Sequence, residues 1–502
     1  MNSIKNTKYI FLIVFASCLV HSLWALSLGW DNTIDDLHGF RQTQTAISTF
    51  YLLRESPWLA YETPVLGAPW SIPFEFPLYQ WLTAIIVKIF HTPLDQTGRF
   101  VSVLFFYLSL IPSYIILKYL NVPREHRWIF LSLFLASPLY LFWSRTFMIE
   151  STALFFGLAY LAAVCSFFHK KTLKSVALAL AILFGVLGAT IKITTFVGFA
   201  IAASLFAFLN WQKTRSDIFY SIVIPVVGFA LLPYVAVYAW TQFADSQKLL
   251  NPIAADFITS KVLNGWNFGT LHQRLSGKLW KETILYRVIP ELFGRKVFAI
   301  PSLILFPFSG KRKNLFLASV LIFLAVILTF TNLHIIHNYY SYSNGIFLIA
   351  AIGFCILGLL ERGGLWKLLG YGIFAFCLVG QIQPNNFYLS AASTNNTSIL
   401  ATATAVQKHT NPEDILLIYG YDWSPVLPYY SQRRALMDRK MTLPDAPQMK
   451  AALEKLSKYH IGALVFCHEA KSDTEGKKLL TGAYHFQADA IYSDSICEVH
   501  LR

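Results

Sequence analysis

The 502-residue sequence is 55% hydrophobic and only 14% charged, and it carries a formal net charge of +14 at pH 7. Roughly 25% of residues are charged in ordinary soluble domains, so this composition excludes a soluble globular class and favours a membrane protein. The lysines and arginines lie mostly between apolar runs, which argues against a nucleic-acid-binding patch.

The apolar runs predict a polytopic α-helical membrane protein with about eleven transmembrane helices. Each run is long enough, or nearly long enough, to cross a hydrocarbon core of about 30 Å. The runs are residues 9–29, 100–118, 128–143, 147–168, 175–190, 193–210, 217–241, 296–310, 314–332, 344–360 and 365–381.

Basic residues concentrate in alternate connectors between these runs. The positive-inside rule places such connectors in the cytoplasm, and with them the N-terminus. An odd number of spans then places the C-terminus outside. The basic connectors include Lys170, Lys171, Lys213, Arg215 and Lys311.

Two long outer loops are expected, over residues 30–99 and 242–295. The first contains the apolar segment Leu78–Phe90, which is only thirteen residues long. Such a segment is short for a membrane crossing, and counting it as one would invert every later loop. We therefore predict an interfacial or re-entrant helix inside the first outer loop.

After residue 381 the composition turns polar, and helix-like runs alternate with strand-like runs. The strand-like runs are Ile415–Tyr419 and Ile461–Cys467, and helical patterns precede each of them. This alternation predicts a small α/β domain outside the membrane. The expected division is a membrane domain over residues 1–381 and an extracytoplasmic domain over residues 382–502.

Sequence motifs of several other chemistries are missing. There is no P-loop, no G-x-G-x-x-G opening a helix, and no G-x-S-x-G in a suitable context, so ATP-driven transport and serine hydrolysis lose support. The cysteines show neither a C-x-x-C pair nor a cluster with histidine, which predicts neither a disulfide framework nor a zinc site. They are Cys18, Cys165, Cys355, Cys377, Cys467 and Cys497.

The first outer loop gathers three acids, a histidine and an arginine at one membrane face. A carboxylate or an imidazole presented to a hydroxyl group is what general-base catalysis requires. A solvated loop whose aspartates cap a short helix is the alternative interpretation. The residues are Asp31, Asp35, Asp36, His38 and Arg41.

Shorter outer connectors add Arg145, Glu150 and Lys192. Glu150 is expected to fall within the bilayer boundary, where an ionisable residue is expensive and is usually paired or functional. An ion pair with Arg145 or Lys192 and a catalytic role are both consistent with this position. In either case the three residues are expected near one site.

The last short outer connector holds His334, His337 and Tyr340, which recur every third residue. On a helical turn these side chains share one face. Two histidines at this spacing lack an evident third ligand for a metal, so hydrogen bonding to a phosphate or a pyranose is preferred. A tyrosine-rich interfacial belt is the alternative.

Five short motifs follow one another along the predicted outer side, and as a set they resemble the class C integral-membrane glycosyltransferases (GT-C). The similarity is to the branch of protein O-mannosyltransferases and aminoarabinose transferases (glycosyltransferase family 39-like), and it spans roughly residues 9–381. The motifs are Phe74-Glu75-Phe76-Pro77, Gly98-Arg99, Ser144-Arg145 followed by Glu150, Lys192 after a glycine-rich helix end, and His337-Asn338-Tyr339-Tyr340.

The resemblance implies a role for each of these residues. In that family an aspartate of the first outer loop deprotonates the acceptor hydroxyl, which makes Asp36 the first choice for the base and Asp35 the second. His38 is a rival, because it stands close to where the family often has an Asp-Glu pair. Glu75 is expected to orient the acceptor or support the base. Residues expected to bind the sugar donor or its phosphate are Arg99, Arg145, Glu150, Lys192, His337 and Tyr340.

The activity implied is an inverting transfer of a sugar from a polyprenyl-phosphate donor to a hydroxyl group on the outer side of the membrane. The acceptor is expected to be a lipid, a glycan or a protein. Phosphate leaves as the lipid monophosphate, so no cofactor or metal is required. The expected location is the bacterial inner membrane, with the C-terminal domain periplasmic. The alternatives are a lipid or sugar transporter or flippase, and a diphosphate-dependent glycan ligase or polymerase.

Overall fold

A computed structural model describes residues 2–169, 174–211, 222–383, 387–438 and 440–502, with the side chains of residues 2–8 and Trp211 left out. The basic residues Lys170, Lys171, Lys213 and Arg215, which entered the orientation argument, lie outside these ranges. The chain forms two compact units. The first unit comprises Met1–Trp30, Ser102–Ala239 and Asn264–Ser393, and the second comprises Asp31–Val101, Trp240–Leu263 and Thr394–Arg502.

Long apolar helices dominate the first unit. Among the described residues, nine helices are long and apolar enough to cross a membrane. The polytopic α-helical class is therefore confirmed. These helices are Tyr9–Ser27, Leu94–Tyr119, Glu150–His169, Lys174–Ile191, Ile193–Asn210, Pro225–Lys248, Gly310–Thr329, Asn338–Arg362 and one that begins at Gly364.

The predicted spans 128–143 and 296–310 are divided into shorter helices. The first consists of Arg127–Ala136 and Pro138–Trp143, with Ser137 extended at ψ 122° between them. Proline lacks an amide hydrogen and pushes the preceding residue out of the helical region, so the helix ends there. The second stretch consists of the short pieces Lys296–Phe298, Ile300–Leu305 and Phe306–Phe308, and Pro301 and Pro307 are each the second residue of a piece.

Glycines allow the apolar helices of the first unit to approach closely. A Cβ atom at Gly157 would lie 2.3 Å from the ring of Phe199, and one at Gly353 would lie 2.4 Å from the ring of Phe130. Small residues at such contacts are typical of membrane helix packing, where dispersion contacts replace the hydrophobic effect.

Shorter helices complete the first unit. They include Asn264–Phe268, Leu271–Leu275, Lys278–Val288, Ile289–Phe293, Thr331–Ile336 and Phe387–Ser393, and Lys278–Val288 has the wider π-helical winding.

The second unit contains a five-stranded sheet. Its strands are β1 (Ile415–Tyr419), β2 (Arg434–Asp438), β3 (Ile461–Cys467), β4 (Tyr492–Ser493) and β5 (Cys497–His500), in the order β2-β1-β3-β5-β4. β2, β1 and β3 are parallel, whereas β5 is antiparallel to both β3 and β4. All five residues of β1 are buried. The predicted α/β domain is therefore present, and the bounds of β1 and β3 agree with those predicted from sequence.

Helices Leu400–His409, Val426–Ser431, Pro447–Lys455 and Thr474–Tyr484 connect or flank these strands. Apolar side chains of Pro447–Lys455 and Thr474–Tyr484, among them Met449 and Leu480, pack with Leu417 and Phe466 of the sheet.

All three chain segments of the second unit meet at the free edge of β2. The amides of Ala435 and Met437 donate to the carbonyls of Pro64 and Val65 at 2.9 and 3.1 Å. The carboxamide of Asn251 donates to three carbonyls in residues 66–69. The exposed edge of a sheet invites pairing with other chains, and here the first loop covers it. The boundary proposed at residue 381 stays a prediction.

The first loop also contributes two helices to the second unit, Gly39–Leu53 and Leu78–Phe90. The second of these has the bounds that were predicted for a short interfacial helix, and its placement at a membrane surface stays a prediction.

One cysteine expectation is wrong. Cys467 of β3 and Cys497 of β5 face each other in register and form a disulfide. The sequence carries no spacing signal for this bridge, because 30 residues separate the two cysteines and only strand pairing brings them together. The other four cysteines are buried and unbridged.

Candidate active site

The two neighbouring aspartates of the first loop have different partners in the second unit. Asp36 accepts a hydrogen bond from the carboxamide of Gln42, a fully buried residue one turn into the helix that begins at Gly39. Asp35 accepts a hydrogen bond from Nδ2 of Asn396 at 3.0 Å. Asp36 is therefore tied to the helix start, whereas Asp35 is held by the C-terminal segment.

The electrostatic environment separates Asp35 from an ordinary surface carboxylate. Burial, and secondly the charge of Asp36, raise the pKa of Asp35 to about 6. Desolvation disfavours the ionised form of an acid, and a neighbouring like charge adds to that effect. A general base works best when its pKa lies near the operating pH, so this value suits Asp35 to accept a proton.

Hydrogen bonds to the backbone fix the path of the loop that carries Asp35 and Asp36, residues 31–38, which we call the aspartate loop. The guanidinium of Arg99 is fully buried and donates to the carbonyls of Asn32 and Thr33 at 2.7 and 3.0 Å. The amide of Ile34 donates to the hydroxyl of Tyr430 at 2.8 Å. Arg99, predicted as a ligand of the donor phosphate, thus contacts the loop that carries the aspartates.

Glu75 and His38 take up different positions around the same helix. Glu75 forms an ion pair with Arg41, and the hydroxyl of Tyr61 donates to the Glu75 carbonyl at 3.0 Å. His38 precedes the helix in the left-handed conformation, at φ 56°. The structure thus gives Glu75 a direct contact with Arg41.

Aromatic rings surround Trp423 beside this loop. Phe40 and Phe257 meet it edge to face at 4.7 and 5.8 Å, and Phe74 stacks on it at 5.9 Å. Since Phe40 precedes Arg41 and Phe74 precedes Glu75 in the chain, this cluster positions the ion pair.

The first unit brings together a second group of predicted residues. Glu150 and Lys192 form an ion pair in which the side chains are 2% and 6% exposed. The ammonium of Lys192 also lies over the rings of Tyr340 and Tyr339, at 4.6 and 5.2 Å from their centres. The expected pairing of Glu150 with a nearby cation is confirmed, and the cation in contact is Lys192.

His337 lies beside the tyrosines of this second group, whereas Arg145 contacts the segment after the first helix. Arg145 is buried and donates to the carbonyl of Gly29 at 2.9 Å. The ring of His337 lies 5.3 Å from that of Tyr339 and 6.0 Å from that of Tyr340.

The expectation that His334, His337 and Tyr340 share one helical face is wrong. The helix Thr331–Ile336 ends before His337, which is extended, and a new turn starts at Asn338.

Comparison with known structures gives similarity over nearly the whole chain. ArnT from Cupriavidus metallidurans, bound to undecaprenyl phosphate, superposes with a TM-score of 0.62 and 11% identity, covering 97% of each chain. A second similar structure is archaeal oligosaccharyltransferase AglB from Archaeoglobus fulgidus, in complex with an inhibitory peptide and a dolichol-phosphate. It superposes with a TM-score of 0.55 and 12% sequence identity, and the match covers 95% of this chain and 71% of the AglB chain. The chain has the GT-C fold.

A further similarity agrees with this fold, which is the one that the sequence motifs predicted. Arabinofuranosyltransferase AftD from mycobacteria gives a TM-score of 0.51 at 12% identity, and the match covers 98% of this chain and 41% of that chain. No protein-family model matches the sequence, and no curated protein matches it either.

In this GT-C fold, the helices of the first unit enclose an apolar cavity of about 520 Å³. It is open to the outside and is lined almost entirely by carbon atoms, as a site for an alkyl or isoprenoid chain requires. Its walls include Tyr160, Phe196, Phe229, Pro233, Tyr234 and Val237.

Sequence reasoning missed a buried cluster around Glu291. Tyr388 and Asn338 hydrogen-bond to the Glu291 carboxyl group, and burial raises the pKa of this acid to about 7. Arg287 donates to the carbonyls of His334 and Ile335, the second at 2.9 Å. The spacing of Arg287 and Glu291, four residues apart on a helix, was the available signal.

Within the described ranges, no group of three or more histidine, cysteine, aspartate or glutamate side chains is arranged to hold a metal ion.

Proposed function

We propose that the protein is a membrane glycosyltransferase that moves a sugar from a polyprenyl-phosphate donor to a hydroxyl group of an acceptor. The observation that carries the proposal is Asp35, a carboxylate with a pKa raised to about 6 on an anchored loop of a GT-C fold. Two solved relatives of this fold hold polyprenyl phosphates, undecaprenyl phosphate in ArnT and dolichol-phosphate in AglB.

Asp35 is proposed as the general base, in preference to Asp36. Each aspartate accepts a carboxamide hydrogen bond, Asp36 from Gln42 and Asp35 from Asn396, and Asp35 has the raised pKa that suits proton transfer. The acceptor hydroxyl gives its proton to the Asp35 carboxylate, and its oxygen attacks the anomeric carbon. The bond from that carbon to the phosphate oxygen breaks, so polyprenyl monophosphate leaves and the anomeric configuration inverts.

In the first unit, we propose that Lys192, Tyr340 and His337 bind the donor phosphate. A cation and neutral hydrogen-bond donors can stabilise charge that develops on a phosphate leaving group. Glu150 holds the ammonium of Lys192 in place. The apolar cavity lined by Tyr160 and Phe229 is proposed to take the isoprenoid chain.

For two arginines and Glu75 we propose supporting roles. Arg99 holds the backbone of the aspartate loop, and Arg145 holds the carbonyl of Gly29, where the first transmembrane helix ends. Glu75 holds Arg41 by an ion pair on the helix that follows the aspartates. We propose that the reaction needs no metal ion or other cofactor.

The proposed location is the bacterial inner membrane. The C-terminal α/β domain that contains the five-stranded sheet, here called the sheet domain, is proposed to lie in the periplasm. The Cys467–Cys497 disulfide supports this side of the membrane, because disulfides persist in the periplasm and are rare in the cytosol. A lipid A or envelope glycan acceptor is preferred over a protein.

The test is sugar transfer by the purified, reconstituted protein from radiolabelled polyprenyl-phosphate sugars to an envelope extract. Asp35→Asn is expected to lower the rate by 10²–10⁴-fold, roughly the contribution of a general base. Asp36→Asn should lose less, and Asp31→Asn, which changes an exposed acid of the same loop, is the matched control.

Three outcomes would contradict parts of this proposal. Full activity of Asp35→Asn combined with loss in Asp36→Asn would assign the base to Asp36. A diphosphate lipid product would indicate a glycan ligase or polymerase. Absence of transfer from every sugar donor, together with movement of lipid or sugar across the vesicle membrane, would indicate a transporter.

A further inference from the structure

The segment Thr394–Asn396 runs along the aspartate loop inside the second unit. The Asn32 carboxamide donates to the Thr394 carbonyl at 3.2 Å, and the Thr33 amide donates to Oδ1 of Asn395 at 3.0 Å. The Thr33 hydroxyl donates to the Asn396 carbonyl at 2.6 Å. These contacts hold the loop on the side from which the Asn396 side chain reaches Asp35.

The orientation of the Asn396 carboxamide follows from its other neighbour. Its Oδ1 accepts hydrogen bonds from the amide and the hydroxyl of Ser398, at 3.2 and 2.7 Å. A backbone amide can only donate, so the oxygen must face Ser398 and the NH₂ group must face Asp35. The carboxylate therefore receives a hydrogen-bond donor.

A second contact fixes the other oxygen of Asp35. A Cβ atom at Gly39 would lie 2.2 Å from Oδ1 of Asp35, which means that this oxygen occupies space that only glycine leaves open. One oxygen of the carboxylate thus rests on the start of the helix Gly39–Leu53, and the other accepts the hydrogen bond from Asn396.

We propose that Asn396 is a positioning residue for Asp35: its NH₂ group orients the carboxylate and stabilises the ionised form that accepts the proton. The segment Thr394–Asn396 is then part of the active site, although it lies far along the chain. This inference rests on the proposed function for its catalytic consequence, and on contacts of the structure for its effect on Asp35.

The charges around Asp35 explain why such a donor is useful. Asp36 on the same loop disfavours ionisation of Asp35, and the nearby hydroxyls of Tyr421 and Tyr430 stay uncharged because burial raises their pKa. Arg41, on the adjoining helix, is paired with Glu75. The carboxamide of Asn396 opposes desolvation, so its removal shifts the pKa of Asp35 further upward.

The experiment measures the protonation of Asp35 without using activity. Carbodiimide labels protonated carboxyl groups, and mass spectrometry with fragment ions assigns the label to Asp35 as a function of pH in the intact, detergent-solubilised protein. Asn396→Ala is expected to raise the labelling midpoint by roughly one pH unit. Asn396→Ser retains an oxygen for the Ser398 turn and should show the same shift.

The controls separate positioning from folding. Asn395→Ala removes a neighbouring contact of the loop, and Ser398→Ala removes the hydroxyl partner of Asn396, while both leave the Asn396 to Asp35 hydrogen bond in place. Neither should move the midpoint. An unchanged midpoint in both Asn396 variants, with or without a lower melting temperature, would overturn the inference.

Sugar transfer is measured on the same variants in parallel. The acid side of the kcat/KM profile should move upward with the labelling midpoint in Asn396→Ala and Asn396→Ser. A moved midpoint in a protein that transfers no sugar would leave the Asn396 contact established and count against the proposed function instead.

Discussion

Glu150 and Lys192 form an ion pair in which both side chains are almost fully buried. Each charge is therefore neutralised by the other side chain rather than by water. Glu150→Gln and Lys192→Met are each expected to destabilise the protein by about 3–5 kcal/mol, because the remaining buried charge loses its ion-pair partner. The double variant should lose less than the sum. Thermal unfolding in detergent over the complete double-mutant cycle measures this coupling.

The matched control is the Arg312–Glu361 pair, whose side chains are 13% and 33% exposed. Water screens such a pair, so Glu361→Gln should change stability by about 1 kcal/mol or less. Equal losses in Glu150→Gln and Glu361→Gln would show that the Glu150 pair is not desolvated.

Asp35→Asn is expected to stabilise the protein above pH 6 while it strongly lowers the rate of transfer. The folded protein holds the Asp35 proton up to about pH 6, whereas the unfolded chain releases it near 3.8, the ordinary pKa of an aspartate. The stability that the protonated acid contributes is therefore present below pH 4 and is lost as the pH rises through 6. Asparagine cannot ionise and keeps that stability.

The measurement is the melting temperature of wild type and Asp35→Asn from pH 4 to pH 8. The two curves should meet near pH 4, separate as the pH rises to about 6, and run parallel above that pH. A constant offset across the range would show that Asp35 ionises in the folded protein as it does in the unfolded chain.

At the residue scale, the sequence predicted which residues belong to the candidate site better than it predicted the contacts and role of each one. Asp35 and Asp36 are adjacent, and a pattern cannot separate them. Their difference arises from Gln42 on the following helix and from Asn396, 361 residues away. Arg99 shows the same limit, because its burial against two loop carbonyls follows from tertiary packing.

Among the elements, the strand pair β3–β5 carries the cross-link of the sheet domain. Cys467→Ser is expected to lower the stability of the sheet by roughly 3–4 kcal/mol, since the bridge closes a loop with a sequence separation of 30. Limited proteolysis of residues 394–502 with and without reductant measures the effect. Cys355→Ser, at a buried unbridged cysteine, keeps the bridge and should respond to reductant as wild type does, whereas Cys467→Ser should not respond.

One result of the proteolysis experiment would contradict this prediction. If wild type and Cys467→Ser were cleaved at equal rates with and without reductant, the bridge would contribute nothing to the sheet.

The elements differ in how well their bounds can be read from sequence. The strands β1 and β3 are short apolar runs rich in β-branched and aromatic residues, and their predicted bounds agree with the structure. The predicted span 128–143 divides at Ser137 and Pro138, where hydropathy stays high although the backbone cannot remain helical. Hydropathy measures solvent preference and does not register a missing amide hydrogen.

At the scale of the whole molecule, the proposed orientation can be tested with reporter fusions. Alkaline phosphatase fused after Arg502 should be active and a fluorescent protein should be dark, because the tail is proposed to lie in the periplasm. Fusions after Arg362, in a connector with basic residues, should give the opposite pattern. Fluorescence after Arg502 would reverse the orientation.

The membrane architecture was the most predictable feature of the molecule, because apolar length is a direct requirement of the bilayer. The composition of the second unit was not predictable. It combines Asp31–Val101, Trp240–Leu263 and Thr394–Arg502, and buried Asn251 ties the middle segment to the first. No local pattern reports which distant loops share one core.

The hydrogen bond from Asn396 to Asp35 can form only late in the synthesis of the chain. Asp35 is synthesised 361 residues before Asn396. At roughly 5–20 residues per second, the loop waits on the order of 20–70 s for its partner. A nascent chain, or one truncated before residue 394, lacks Asn396, the donor of this hydrogen bond to Asp35. Under the proposed function, an unfinished chain is therefore expected to transfer sugar more slowly than the complete protein.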